Sequence, residues 1–174
     1  EFRRVLFRSL QLDSFSLDTL KTLELYHDGT GYNKAGELLS DTNGFFGTDI
    51  IRFGESISTI YDRETLEHIS VLAQYDQALE MYRKYYQYEQ IKGSARETIS
   101  LIPEEAFREA VANALVHRTW DIDTHINIAM LPDKIQITSP GGLPKGVSRS
   151  DFVRGGISIL RNRILGNVFF RLHL

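Results

Sequence analysis

Three residues with chemically useful side chains follow one another at intervals of four: Glu109, Asn113 and His117. At ~100° per residue, this spacing places them along one stripe of an α-helix that is roughly 80° wide. A carboxylate can orient a water, an amide oxygen is a ligand that Mg²⁺ accepts, and an imidazole can contact phosphate or cap the helix end. The stripe is therefore a candidate phosphate and metal site, although an ordinary helix with three surface polar residues has the same spacing.

A helix from about Pro103 to Arg118 carries this stripe. Proline is favoured in the first turn of a helix, and Glu104 and Glu105 follow where carboxylates offset the positive helix end. Small and apolar side chains border the stripe, so its polar groups are expected to be half-buried and to need partners. Asn113 is the strongest single candidate, because Asn is locally unfavourable in the middle of a helix.

A second motif follows a predicted strand pair. Ile126–Met130 and Lys134–Thr138 alternate apolar and polar residues, which predicts a half-buried antiparallel hairpin. The chain then reads Ser139-Pro140-Gly141-Gly142-Leu143-Pro144-Lys145-Gly146. A glycine pair at a strand end lets the backbone approach a ligand or adopt a positive φ. A glycine-rich turn that binds nothing is the alternative interpretation.

Together with Arg161-Asn162-Arg163, these motifs resemble the RecG-like C-terminal, or divergent AAA-4, family of transcriptional regulators. That family's pattern runs roughly EEALREALVNALVHRDY, then SPGGLPxG, then RNP; here Arg163 replaces the proline. The family carries a degenerate ATPase domain of the gyrase, Hsp90, histidine-kinase and MutL (GHKL) type. The resemblance implies a Bergerat-like α/β sandwich, in which helices pack on one face of a mixed, mostly antiparallel sheet.

The resemblance also implies roles for individual residues. Glu109 would be the catalytic residue that orients a water, and Asn113 would be the Mg²⁺ ligand. The implied cofactors are ATP and Mg²⁺, and the implied cofactor-binding residues are Asn113, His117, Ser139, Gly141, Gly142 and Gly146. Ser139 stands where the ATPase fold has an Asp that accepts from the adenine amino group, and a hydroxyl carries no charge. A weak ATPase at most is therefore expected.

Arginines are frequent in the C-terminal third, at Arg154, Arg161 and Arg163. Guanidinium groups suit phosphate through bidentate hydrogen bonds. They are candidates for gripping a nucleotide or DNA, and a solvated basic face is the equally weighted alternative.

Net charge, missing motifs and composition narrow the range of possible functions. The 174 residues carry a net charge of −3, so any DNA contact would need a local basic patch or domains outside this chain. No phosphate-loop motif is present, which excludes a helicase motor of that kind in this sequence. The absence of cysteine fits a cytoplasmic protein. No apolar run approaches the ~20 residues of a membrane span, so no membrane partner is expected.

The sequence predicts three regions. Residues 1–15 are an N-terminal arm, a cloning scar or a fragment edge; residues 16–100 form a helical and β subregion leading into the core; residues 101–174 form the ATPase-like region, truncated at its C-terminus. The remaining predicted elements are helices at Leu17–Leu25 and Asn33–Leu39, strands at Phe45–Phe53 and Ile57–Tyr61, a long helix from Asp62 or Thr65 to about Tyr86, a hairpin over Gln87–Ile99, a helical turn at Arg149–Val153 and a closing helix at Asn162–Leu172.

The leading functional hypothesis is a fragment of a DNA-binding transcriptional regulator that carries a degenerate, ATP-sensing module. Its expected partners are nucleotide, DNA through other domains, and a second copy in a homodimer. The alternative is a non-catalytic scaffold or dimerisation domain of the same regulator.

Overall fold

The computed structural model describes residues 16–143, 146–148, 150, 154 and 159–174. The N-terminal arm lies outside the described residues, as does the helical turn expected at Arg149–Val153 except for Ser150. In chain order, the described elements are α1 Leu17–Thr22, β1 Tyr26–His27, β2 Gly31–Tyr32, α2 Lys34–Leu39, β3 Thr48–Phe53, β4 Ile60–Leu66, α3 Val71–Tyr86, β5 Gln87–Lys92, β6 Ala95–Ser100, α4 Glu104–His117, β7 Ile126–Met130, β8 Ile135–Thr138 and α5 Arg163–Arg171.

A four-stranded sheet with the order β4-β3-β7-β8 forms the centre of the fold. β3 pairs antiparallel with β4 and parallel with β7, and β7 pairs antiparallel with β8. The predicted mixed, mostly antiparallel sheet is therefore confirmed. β1–β2 and β5–β6 form separate two-stranded sheets.

One face of the four-stranded sheet is apolar and supports the helices. Ile50, Ile128 and Ile137 are neighbours in the register of β3, β7 and β8, and the first two are buried. Asn127 and Thr138 are paired on the other face, where both are exposed. This alternation matches a sheet packed on one side only.

Aromatic stacking joins the two long helices above that face. The Tyr82 ring of α3 lies 4.7 Å from the Phe107 ring of α4, at an interplanar angle of 16°. Tyr82 also stacks on Tyr86, with ring centroids 5.7 Å apart. The Tyr86 hydroxyl then donates to the Leu131 carbonyl, at 2.5 Å, beside the end of β7. The predicted α/β sandwich, in which the helix at Pro103–Arg118 packs on the sheet, is thus confirmed.

The second strand and the start of the long helix were predicted wrongly. β4 covers Ile60–Leu66 rather than Ile57–Tyr61, and α3 begins only at Val71, where the Ser70 side chain caps it. Asp62 and Thr65, at which the helix was expected to begin, both lie within β4. β4 is an edge strand, and an edge tolerates charged side chains that a central strand would not.

Several helix ends agree with the sequence. The side chains of Ser16 and Asn33 cap α1 and α2, as such residues are expected to do. Pro103 occupies the cap position of α4 rather than its first turn, and it supplies no side-chain bond. Glu104 instead accepts from Arg83 and Gln87, and the Arg83 guanidinium lowers the pKa of the Glu104 carboxyl. None of the helices in the described ranges has the length and apolarity that a membrane crossing requires.

Candidate functional site

The motif helix α4 divides its surface between the core and solvent. Phe107, Val111 and Leu115 are buried, whereas Glu109 and Asn113 are exposed. Among the three stripe residues, only His117, which lies in the last turn of α4, is half-buried. The expectation that the whole stripe would be half-buried is therefore wrong, because the flanking alanines are too short to cover longer polar neighbours. Exposure leaves both candidate groups accessible to a ligand.

Glu109 and Asn113 share one cleft with a volume of about 240 Å³. Its wall is completed by Glu105, Arg108, Ala112 and the chain segment at His173 and Leu174. The Arg108 guanidinium is fixed there, donating to the Tyr75 hydroxyl at 3.2 Å and to the His173 carbonyl at 3.3 Å. The Tyr75 contact raises the pKa of Arg108. The cleft thus combines two carboxylates, an amide, a guanidinium and an imidazole.

Sequence reasoning missed Arg108 and His173. Arg108 lies beside the stripe but points partly toward α3, and nothing in the spacing marked it. His173 is distant in sequence and enters the cleft because α5 ends there. Its φ of 56° places it in the left-handed region. The amides of His173 and Leu174 donate to the Phe170 and Phe169 carbonyls, both at 3.1 Å, which is the bonding of a Schellman helix end.

The glycine loop packs at the carboxyl end of α4. The Ser139 hydroxyl donates to the Ala114 carbonyl at 2.8 Å. Gly141 has a φ of +125°, and a Cβ there would lie 2.3 Å from the Thr119 hydroxyl oxygen and 2.4 Å from an Arg161 nitrogen. Gly142 faces open space, and Gly146 has a φ of +85°. Both the backbone conformation and the packing of the loop therefore require glycine at position 141, whereas Gly142 is accessible.

Two neighbouring residues clamp this loop to the helix. Arg161 donates to the Thr119 hydroxyl and, at 2.5 Å, to the Gly142 carbonyl. The Asn162 side-chain amide donates to the Val116 and Arg118 carbonyls, at 2.7 and 2.8 Å, and so satisfies the end of α4. Arg161 and Asn162 thus form a structural clamp, and Arg161 is one of the arginines that the sequence offered as a phosphate grip or a solvated face.

Arg118 fixes the connection that follows α4. Its guanidinium donates to the Gly47, Ile122 and Thr124 carbonyls at 2.7, 3.3 and 2.5 Å, and it lies 4.3 Å from the centre of the Trp120 ring. Burial lowers the pKa of Arg118 to about 10, against the opposing effect of the Asp123 charge. The Arg118 guanidinium therefore remains protonated at neutral pH. It also positions the next residue, Thr119, whose hydroxyl accepts from Arg161.

The described contacts place the candidate residues in two groups. Glu109 and Asn113 line the cleft near the middle of α4, whereas Ser139 and Gly141 contact Ala114 and Thr119 toward its end. His117 belongs to the last turn between them. The motifs predict that Glu109, Asn113, Gly141 and Gly142 line one shared cleft, because a helix stripe and a strand-end loop must converge to hold a phosphate ligand, and this stays a prediction.

The chemistry of the cleft can be tested against Mg²⁺. Among the described residues, no group of three or more His, Asp or Glu side chains could hold a metal ion. Asn113 and Glu109 supply hard oxygen atoms, which suit an ion that takes its other ligands from phosphate and water. Glu109 and Asn113 thus fit a magnesium ion whose other ligands are phosphate and water. They do not supply a complete set of protein ligands.

Alanine at Gly141 is expected to destabilise the protein by about 1–3 kcal/mol, because it combines a strained φ with displacement of the Arg161–Thr119 bond. Alanine at Gly142 is the matched control, since no atom lies within 4 Å of its added Cβ. Urea unfolding of both variants measures the difference. Equal stability losses in the two variants would contradict the assigned role of Gly141.

Comparisons with known proteins agree with this architecture. Residues 123–174, which contain β7, β8, the glycine loop and α5, match the family described as "Putative ATP-dependent DNA helicase recG C-terminal". The resemblance seen in the motifs is thus confirmed over this segment, which is similar to an ATPase-like domain. The matched segment begins after α4, so the Glu109 and Asn113 stripe lies outside it.

The fold also resembles a solved structure, the crystal structure of the DIP2311 protein from Corynebacterium diphtheriae. The TM-score is 0.81 at 19% sequence identity, and the match covers 97% of this chain. It covers only 35% of that protein's chain, so the present chain spans about a third of its length. This identity establishes similarity of fold alone. No curated protein matches the chain.

Proposed function

We propose that this chain is the nucleotide-sensing module of a DNA-binding transcriptional regulator, with weak ATP hydrolysis at most. The observation that carries the proposal is the shared cleft of Glu109 and Asn113, which also presents Arg108 and His173. Oxygen ligands for a metal and cationic groups for phosphate are the two requirements of a magnesium-nucleotide site. The match to an ATPase-like family supports the same assignment.

Each residue has a distinct role in this proposal. The Asn113 amide oxygen would hold a magnesium ion, and Glu109 would orient a water. Arg108, held by Tyr75, would offer its guanidinium edge to a phosphate oxygen. Magnesium supplies charge neutralisation of the phosphates when it is bound. Because Ser139 presents a hydroxyl rather than a carboxylate, ATP and GTP are expected to bind about equally well.

The regulator context belongs to the same proposal. The longer chain of the structural neighbour is consistent with further domains beside this module. The net charge of −3 gives this chain no overall attraction to DNA. DNA contact is therefore assigned to domains outside it.

Replacing Asn113 by alanine is expected to weaken magnesium-ATP binding roughly ten- to hundredfold, because a metal ligand is lost. Glu109→Gln should leave affinity nearly unchanged, since Glu109 would touch only a water. Isothermal titration calorimetry with ATP, GTP and a non-hydrolysable ATP analogue, with and without magnesium, measures these affinities.

The matched control is Asn127→Ala, because Asn127 is also exposed but lies on the opposite face of the sheet. Binding that is independent of magnesium and equal in Asn113→Ala and wild type would remove the metal-ligand role. A wild-type protein that binds none of the three nucleotides would contradict the sensing function.

A scaffold that dimerises is the second candidate, and the β5–β6 hairpin favours it. Tyr88 and Ile91 are 49% and 75% exposed on this hairpin, whose strands pair only with each other within the described part of the chain. An isolated two-stranded hairpin is marginally stable in water, so a partner strand would stabilise it. Sedimentation at increasing concentration distinguishes the candidates: a dimer without nucleotide affinity supports the scaffold.

A further inference from the structure

A second cleft, larger than the one at Glu109 and Asn113, lies between α2 and the start of α5. Its volume is about 320 Å³, and three cationic residues line it: Lys34 of α2, Arg163 at the start of α5, and Arg161, which precedes the Asn162 cap. The described lining residues include no carboxylate. The remaining wall is mostly apolar, from Ala35, Leu38, Ile164 and Leu165. Positive charges thus converge on a partly apolar recess.

Within the described residues, two of the three cations are held only by exposed ion pairs. Lys34 pairs with Asp121, whose side chain is 75% exposed, and Arg163 pairs with Glu24 at 3.0 Å, with both side chains largely exposed. Exposed ion pairs contribute only about 0–1 kcal/mol, so an anion with more acceptor atoms displaces such partners readily. Arg161 donates to a hydroxyl and a carbonyl, so no carboxylate in the described contacts neutralises its charge.

The geometry points to a binding site for a small phosphate-bearing molecule in this cleft, separate from the proposed nucleotide site. We propose that a phosphate group sits between Lys34, Arg161 and Arg163 and exchanges the exposed ion pairs for charge-assisted hydrogen bonds. A phosphate offers several acceptor oxygens, which suit two guanidinium groups and an ammonium. α5 begins in the wall without a side-chain cap, which is consistent with an anion there.

Arg161 gives this site a connection to the glycine loop. The same guanidinium that faces the cleft also binds Thr119 and the Gly142 carbonyl. A phosphate that draws Arg161 toward the cleft competes with these two bonds. Occupancy of the cleft therefore alters the loop after β8, and Trp120, next to Thr119, reports this change. Because the chain has one tryptophan, its fluorescence is an unambiguous signal.

The test is calorimetric titration of the whole chain with inorganic phosphate, pyrophosphate and AMP, without magnesium. Lys34→Gln and Arg163→Gln should each weaken pyrophosphate binding by about tenfold, the effect of one charge-assisted hydrogen bond. Glu24→Gln should strengthen binding, because it releases Arg163 from its ion pair. AMP that binds as well as pyrophosphate identifies a phosphate ester as the ligand, whereas preference for the free anions identifies inorganic phosphate.

The matched controls come from the β5–β6 hairpin, where Lys92 and Glu97 form a comparable exposed pair at 3.7 Å. Lys92→Gln should leave pyrophosphate affinity unchanged, and Glu97→Gln should not strengthen it. The site does not depend on the proposed nucleotide function, so Asn113→Ala should also bind pyrophosphate normally. Absence of binding of inorganic phosphate, pyrophosphate and AMP, or equal weakening by Lys92→Gln, would overturn the assignment.

Discussion

Replacing Arg118 by alanine is expected to lower the free energy of unfolding by about 3–5 kcal/mol, from the cavity and the hydrogen bonds lost together. Arg118 is 1% exposed and bonds three backbone carbonyls from two segments of the chain. The Gly47 and Ile122 carbonyls each keep a second donor, the amides of Ile126 and Thr124. Arg118 is the described partner of the Thr124 carbonyl, which would lose this donor in the variant.

Two further variants separate the contribution of the Arg118 charge to stability from the contribution of its shape. Lys at position 118 keeps a positive charge, but a single ammonium lacks the fork that reaches Gly47 and Thr124 together. Met keeps the apolar stem beside Trp120 without a donor. Both are expected to be less stable than wild type in urea unfolding. A loss below about 1 kcal/mol in Arg118→Ala, the scale of an ordinary surface change, would show that the carbonyls find other donors.

Truncating Phe107 to alanine is expected to cost a similar 3–5 kcal/mol, the usual range for a buried aromatic ring. Phe107 is 3% exposed and stacks on Tyr82, whose hydroxyl in turn donates to the Ile102 carbonyl just before α4. Loss of the ring therefore removes the contact that seats the motif helix on α3. Thermal and urea unfolding measure the change.

Phe107→Leu is the control for this prediction. Leucine retains much of the apolar volume and is expected to cost less than about 1.5 kcal/mol. Losses of the same size in both variants would mean that ring stacking, rather than volume, holds the helices together. Near-wild-type stability of Phe107→Ala would contradict the packing of α4 on α3.

The sequence by itself determined those elements whose periodicity or caps are local. The alternation of Ile126–Thr138 specified a hairpin, and Ser16 and Asn33 marked helix starts, because each signal depends on neighbours within a few residues. The motif helix and its buried face at Phe107, Val111 and Leu115 followed from helical spacing in the same way. The motifs also indicated the ATPase-like family that residues 123–174 match.

Only the tertiary structure decided which residues meet. The charged segment Asp62–Glu64 became an edge strand because β3 was available to pair with it, which no local pattern reveals. His173 lies beside Asn113, and Arg161 lies beside Gly141, because the chain folds back as α5 along α4. Contacts between residues far apart in sequence depend on the packing of whole elements, so the clamp and both clefts emerge only at that level.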